Sequence, residues 1–92
     1  MKESERKKWA MMAKEKWDFE SLEIRNYQID SRDMLIMEFE FSDWRLSRIE
    51  KIFKWIKGEF IEYGIDQFTI DLRYSNMMYG EIIVVAEIEK EA

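Results

Sequence analysis

Apolar residues recur at helical spacing in two stretches of the chain. The first stretch covers residues 4–17 and brings to one face Trp9, Met12, Ala13 and Trp17. The second covers residues 43–63 and brings to one face Leu46, Ile49, Phe53, Ile56, Phe60 and Tyr63. Both stretches are therefore predicted to be helices that cover a core with one side.

The second helix carries its own boundary signals. Ser42 or Asp43 is expected to cap its first turn, because both side chains accept hydrogen bonds from free amides. Gly64 predicts a left-handed end, with Ile65 folded back on the last turn. Gly58 lies inside the helix, where glycine is less favourable than alanine by about 1 kcal/mol, so we expect it to permit close approach to the sheet or to the first helix.

Four further stretches alternate apolar and polar residues with the period of a β-strand: residues 20–29, 34–41, 67–74 and 81–89. In the first strand the alternation changes parity between Ile24 and Tyr27, and a bulge near Asn26 is predicted to restore the register. The polar segment of residues 30–33 contains no glycine. A loop longer than a two-residue hairpin turn is therefore expected before the second strand.

This order of elements predicts an α+β fold. The chain is expected to form one domain over residues 1–92. Its architecture is a two-layer sandwich in α-β-β-α-β-β order, with a four-stranded antiparallel sheet packed by two helices. The fourth strand is apolar on both faces and the second is the next most apolar, which favours central positions and the strand order 1-2-4-3. Order 2-1-3-4 is the alternative, and the sequence leaves open which face the first helix covers.

Composition excludes several chemistries. The 92 residues include no cysteine, no histidine and no proline, which removes disulfides, thiolate nucleophiles and the commonest metal ligand and general base. The carboxylates, lysines, tyrosines and serines that remain form no recognisable nucleophile–base arrangement and no glycine-rich phosphate loop. We therefore expect no enzyme activity, no catalytic residues and no cofactor.

The net charge of −5 is unevenly distributed along the chain. Both predicted helices have a small positive balance, whereas the strands are acidic. An acidic sheet repels phosphate backbones, which argues against nucleic-acid binding. No apolar run approaches the roughly 18 residues of a membrane span, and the charged N-terminal residues do not resemble a secretory signal. A cytoplasmic protein without membrane association is expected.

The outer face of the sheet is the main candidate site. If the second and fourth strands are neighbours, apolar and acidic side chains meet there: Met34, Ile36, Glu38, Ile83, Val85 and Glu87. Such a face could bind a basic protein partner or join two copies in a homodimer. The alternatives are that central strands expose a few branched residues without function, or that the first helix covers them.

Two other groups of side chains are weaker candidates. Carboxylates that could offer oxygens to Mg²⁺ or Ca²⁺ are Glu38, Glu40, Glu87 and Glu89. Their spacing does not match a calcium loop, and no metal is expected. Aromatic side chains that could stack on bases or anchor an interface are Trp9, Trp17, Trp44 and Trp55. Helical spacing is more typical of a core, and Trp44 is predicted to be the most exposed of them.

Two functional hypotheses follow from these observations. Consistent local signals and the omission of Cys, His and Pro favour a stable small scaffold without catalytic function. On this hypothesis it is a de novo designed or redesigned protein that exists only in recombinant form. The alternative is a small acidic protein-binding module or inhibitor, of phage or archaeal type, that uses the outer sheet face.

Overall fold

The computed structural model describes residues 3–43, 45–74 and 79–88. In chain order the elements are α1 (Glu3–Trp17), β1 (Ser21–Ile29), β2 (Arg32–Phe41), α2 (Leu46–Glu62), β3 (Phe68–Tyr74) and β4 (Gly80–Ile88). The four strands form one antiparallel sheet in the order β1-β2-β4-β3. The predicted α+β class and element order are confirmed, and of the two strand orders the first is correct.

Both helices pack on the same face of the sheet. Trp9 of α1 is buried between the sheet and α2, with its ring 6.4 Å from the ring of Phe39 and stacked at 5.3 Å on the ring of Trp55. Phe60 of α2 lies 5.2 Å from Phe68 of β3, measured between ring centres. The apolar inner sides of β2 and β4 complete this core. No described element lies on the opposite side of the sheet, which we call the outer face.

The buried side of α1 differs from the predicted one. Trp9 and Ala13 are buried as expected, but Met12 is 45% exposed and Arg6 is buried in its place. The stacking of Trp9 on Trp55 turns α1 towards α2. This rotation carries Met12 out of the core and Arg6 into it.

The buried side of α2 is shorter than the predicted stripe. It is formed by Ile49, Ile52, Ile56 and Phe60. Leu46 and Tyr63, the two ends of the predicted stripe, are exposed. The reason is geometric, because a strict 3-4 alternation has a period below 3.6 residues and drifts around a straight helix.

The start of α2 also differs from the prediction, whereas its end agrees. The helix begins at Leu46 and has no side-chain cap, because the Asp43 carboxylate instead accepts a hydrogen bond from the Arg45 amide at 3.2 Å. At the other end Gly64 has a φ of 77°, and the amide of Ile65 donates to the Phe60 carbonyl at 2.9 Å. This is the predicted Schellman ending.

Neither the sheet nor α1 approaches Gly58 closely. A Cβ atom built at this exposed position would meet no atom within 4 Å. The predicted role is wrong, and no described contact explains the glycine.

The β1–β2 connection is a two-residue turn, not the predicted longer loop. Ile29 pairs with Arg32, and the two residues between them, Asp30 and Ser31, have φ values of 50° and 67°. Two successive left-handed residues are what a tight hairpin turn of the I′ type requires. Aspartate and serine therefore occupy positions that glycine adopts more easily.

The predicted bulge in β1 is also absent. The register with β2 is continuous from Ser21 to Ile29. Asn26 lies on the helix side, where its Oδ1 accepts a hydrogen bond from Arg6 Nη1 at 2.7 Å. Tyr27 therefore lies on the outer face, directly opposite Met34. The parity change in the sequence therefore reflects a polar residue at an exposed position on the helix side of β1, where Arg6 provides a hydrogen-bond donor.

The two α-β-β halves of the chain are related by an approximate twofold axis normal to the sheet, between β2 and β4. The strand order is symmetric about this axis. Both helices end in the same hydrogen-bond pattern, since the Phe19 amide donates to the Lys14 carbonyl at 3.0 Å just as Ile65 donates to Phe60. Asp18, with a φ of 53°, occupies the position of Gly64.

This alignment makes the two stacked tryptophans equivalent. Trp9 precedes Asp18 by as many residues as Trp55 precedes Gly64. The same alignment pairs further positions of the two halves: Arg6 with Ile52, Leu22 with Phe68, Ile24 with Ile70, and Asn26 with Leu72. The halves thus share one architecture but differ in which positions are polar.

Candidate functional site

The strand registers bring the predicted outer-face residues together. Residues on this face that are directly opposite each other are Tyr27 with Met34, Ile36 with Val85, and Glu38 with Ile83. Glu87 lies opposite Met34 on the other side of β2. All six residues singled out from the sequence therefore lie on one contiguous surface of β2 and β4.

The centre of this surface is an apolar patch, which we define as Tyr27, Met34, Ile36, Ile83 and Val85. Ile83 is only 7% exposed, although no helix covers it. The other four members are half-buried. The patch is therefore partly screened from solvent, although no described helix covers it.

Carboxylates dominate the charge of the outer face. Its acidic members are Glu23, Glu38, Glu40, Asp71, Glu81 and Glu87. Its basic members are Arg25, Arg32 and Arg73. The surface therefore carries a net charge of about −3 at neutral pH.

Two of the arginines neutralise carboxylates at one part of the face. Arg25 forms an ion pair with Glu38 and lies 3.8 Å from a carboxylate oxygen of Glu23. Arg32 lies 4.0 Å from Glu87. Glu38 and Glu87, the two acidic residues predicted for the site, are thus already paired.

The carboxylates without an ion pair lie at the end of the face where β2 finishes and β4 begins, although Arg73 of β3 is directly opposite Glu81. Glu40 and Glu81 are directly opposite each other on neighbouring strands. Like charges in this position destabilise a sheet. Within the described part of the chain neither carboxylate has an ion pair, and the same holds for Asp71. Glu23 and Glu38 are also directly opposite each other, but Arg25 contacts both carboxylates. Glu40 and Glu81 are opposed without such a shared cation among the described residues.

Sequence reasoning missed two parts of this surface. The predicted bulge would have turned Tyr27 to the helix side. Without a bulge, its alternation relative to Leu22 and Ile24 places it on the outer face. Glu40 and Glu81 could be identified as partners only once the β2–β4 register was known.

The cation-binding hypothesis gains no support from the geometry. Glu38, Glu40 and Glu87 lie on the outer face, whereas Glu89 is outside the described residues. Among the residues described, no group of three or more acidic side chains converges as a metal site. Trp44 also falls outside the described residues, and the other three tryptophans pack together at the α1–α2 contact.

A small polar cavity of about 240 Å³ lies where α1 ends and α2 begins. Arg48 organises it, because its guanidinium donates to the Trp17 carbonyl and lies 3.8 Å from Asp43. The same guanidinium lies 6.0 Å from the centre of the Phe19 ring. The Arg48 guanidinium thus connects α2 to the end of α1 and to the segment before α2. The cavity is therefore a structural junction between the two helices.

Comparison with known proteins adds no functional information to what the outer face shows. No family model, curated protein or solved structure matches the chain. Over the described ranges, neither helix combines the length and the apolar character that a membrane crossing requires.

Proposed function

We propose that this protein is a non-enzymatic binding module that docks a basic protein partner on the outer face. The observation that carries the proposal is the apolar patch on the uncovered side of the sheet, next to the opposed Glu40–Glu81 pair. A partner that places a lysine or arginine between these carboxylates would remove their repulsion. Apolar side chains beside that cation would cover the patch.

The charge of the face favours a different protein over a second copy at this site. Two outer faces packed against each other would bring together two surfaces of net negative charge. A basic partner gains both the electrostatic attraction and the apolar contact. The homodimer through the outer face is therefore not the arrangement that we propose.

The scaffold hypothesis remains a prediction, but three local features run against idealised design. They are the opposed Glu40 and Glu81, the buried Arg6, and the left-handed Asp30 and Ser31 in a turn that favours asparagine and glycine. Features that lower stability without a local benefit are typical of selected surfaces and sites. They support a binding function more than a purely structural purpose.

The experiment selects binders from a random peptide library displayed on phage, using the full chain as bait. We expect the enriched peptides to carry lysine or arginine beside apolar residues. Their affinity should fall at least about tenfold for Glu40→Gln/Glu81→Gln and for Ile36→Thr/Val85→Thr. The first variant should remain folded, because it relieves repulsion.

Matched controls come from the helical layer, where the same changes can be made on exposed positions. Glu50→Gln/Glu62→Gln removes two carboxylates from α2, and Ile61→Thr removes an exposed branched residue. Both should leave peptide affinity within about twofold. Enrichment without basic residues, or equal losses from the control and outer-face variants, contradicts the proposal.

A further inference from the structure

The apolar patch crosses the outer face along a diagonal. Tyr27 of β1 is opposite Met34 of β2, whereas the next outer-face residue of β2, Ile36, is opposite Val85 of β4. Each step to the neighbouring strand therefore moves the apolar residues further along the sheet in the same direction. Ile83 continues this line on β4.

The diagonal is long enough to hold several turns of a helix. Ile29 extends it on β1, since this residue alternates in phase with Tyr27 and is 42% exposed. We define the diagonal stripe as the apolar patch together with Ile29. Its other end, Ile83, is level with Glu23 of β1, about 20 Å along the strand from Ile29 and two strands, or about 10 Å, across the sheet. The stripe is therefore about 22 Å long, which corresponds to about 15 helical residues or four turns.

Carboxylates border the diagonal stripe on both of its long sides. The strand registers place Glu23, Glu38 and Glu40 on one side, together with Arg25. They place Asp71 and Glu87 on the other side, together with Arg32. Each side therefore keeps a negative balance, and the apolar residues run between two acidic borders.

The backbone of the sheet favours a helix over an extended segment as the occupant of this stripe. β2 and β4 are each paired with a strand on both sides, so their backbone groups are already used. An extended segment lying on this face would leave its own N–H and C=O groups without partners in the contact. A helix satisfies these groups internally along its length.

The width of the stripe favours a helix over a second sheet. A helix is about 10 Å wide, so it covers the apolar residues and leaves the two acidic borders beside it. Lysine and arginine side chains can then lay their apolar stems along the stripe and place their charges next to the carboxylates. A sheet would cover the carboxylates themselves and impose the cost of removing them from water.

The inner face of the same sheet shows what a docked helix requires. α2 packs there through Ile49, Ile52, Ile56 and Phe60, which together span about 17 Å of helix axis. The diagonal stripe on the outer face is longer than this contact. A helix bound to it would produce three layers, with the sheet covered on both faces.

We propose that the partner segment docked on the outer face is an amphipathic α-helix of about four turns, with lysine or arginine on both borders of its apolar side. Its apolar residues recur at i, i+3, i+4 and i+7 and cover the stripe from Ile29 to Ile83. This inference rests on the proposed function and adds the conformation of the partner to it.

The experiment compares two synthetic peptides of about 16 residues, long enough for four turns. The first orders leucine and lysine so that the leucines form one helical face bordered by lysines. The second contains the same residues in an order that forms no apolar face, so the charge and the apolar content are equal. In calorimetric titration of the full chain, we expect the first peptide to bind at least about tenfold more tightly.

The conformation of the bound peptide is measured directly. Only the first peptide is isotope-labelled, so its backbone chemical shifts report its own structure, and they should become helical on binding. A proline in place of one central lysine should weaken binding at least about tenfold, because proline interrupts a helix.

Variants of the protein test the extent of the contact. Ile29→Thr lies outside the apolar patch but inside the stripe, and it should weaken the first peptide about threefold. Ile61→Thr is the matched control on α2, where the side chain is 67% exposed, and it should have no effect. Glu23→Gln removes a carboxylate from one border and should weaken binding about threefold, whereas Glu50→Gln on α2 should not.

Two results overturn the inference and leave the proposed function standing. One is equal affinity of the two peptides, with both weakened by Ile36→Thr/Val85→Thr, which would show an outer face that binds basic apolar segments without selecting a helix. The other is an extended conformation of the bound peptide. Thermal unfolding shows that the compared variants are folded.

Two further results overturn the inference by removing the contact itself. One is binding of the first peptide that neither Ile29→Thr nor Ile36→Thr/Val85→Thr weakens, which would place the helix elsewhere on the protein. The other is no binding of either peptide. The phage selection described above then determines separately whether the proposed function fails as well.

Discussion

Replacing Arg6 with methionine is expected to stabilise the protein. Arg6 is 7% exposed, and among the described residues its guanidinium makes one hydrogen bond, to the neutral amide of Asn26. Its Nε is buried without a partner, and no carboxylate of the described residues pairs with it. The symmetry-related position in α2 holds Ile52, which is fully buried. An apolar residue is therefore compatible with this place in the fold.

The magnitude follows from two opposing contributions. A buried ion carries a desolvation penalty of several kcal/mol, and a buried donor without a partner adds about 1–3 kcal/mol. One charge-assisted hydrogen bond recovers about 1.5–3 kcal/mol. Methionine fills a similar volume and adapts to irregular space. We expect Arg6→Met to raise the free energy of unfolding by about 1–4 kcal/mol, as is typical when a buried ionic group is replaced by an apolar residue of similar volume.

Urea denaturation measures this change as a higher midpoint at an unchanged slope. Lys8→Met is the matched control, because it removes a cation from the exposed side of the same helix, and it should alter stability by no more than about 0.5 kcal/mol. A loss of more than about 1 kcal/mol for Arg6→Met refutes the reasoning. That outcome would mean that the guanidinium is compensated by interactions stronger than its bond to Asn26.

Further predictions concern glycines, the hairpin turn and pH. Gly58→Ala should stabilise by about 1 kcal/mol in thermal unfolding, since its added methyl meets open space. Gly80→Ala should destabilise by about 1–3 kcal/mol, because its Cβ would lie 2.7 Å from Phe41. Ser31→Gly should raise stability by about 1 kcal/mol in urea denaturation by relieving a left-handed serine. Hydrogen bonds from the nearby arginine side chain and amide lower the pKa of Asp43 below 3.8, so its contribution is present above that pH. The stability difference between the protein and Asp43→Asn should therefore vanish as acid titration passes the lowered pKa.

Elements whose signals are local could be predicted from the sequence. The repeat around Ile56 defined α2, and Gly64 defined its end, because both depend on neighbours within one or two turns. The central positions of β2 and β4 followed from the apolar residues on both of their faces. The predicted fold class and strand order needed no knowledge of individual contacts.

The errors arose where a distant residue decided the local structure. The sequence pattern around Asn26 suggested a bulge. It did not show that Arg6 of α1 is buried and donates a hydrogen bond to Asn26. Met12 was predicted to be buried because helical spacing does not show how α1 is rotated about its axis. That rotation depends on the stacking of Trp9 on Trp55, a contact between the two halves of the chain. The opposed Glu40 and Glu81 depend on the β2–β4 register, which sequence alternation alone does not determine to the residue.

The stacked pair of Trp9 and Trp55 also has a spectroscopic consequence. Two indole rings with centres 5.3 Å apart and planes inclined by 10° have strongly coupled electronic transitions. One ring belongs to each half of the chain, so the coupling exists only while the halves are docked. The near-ultraviolet circular dichroism signal should therefore report directly on the docking of the two halves, with no label added to the protein.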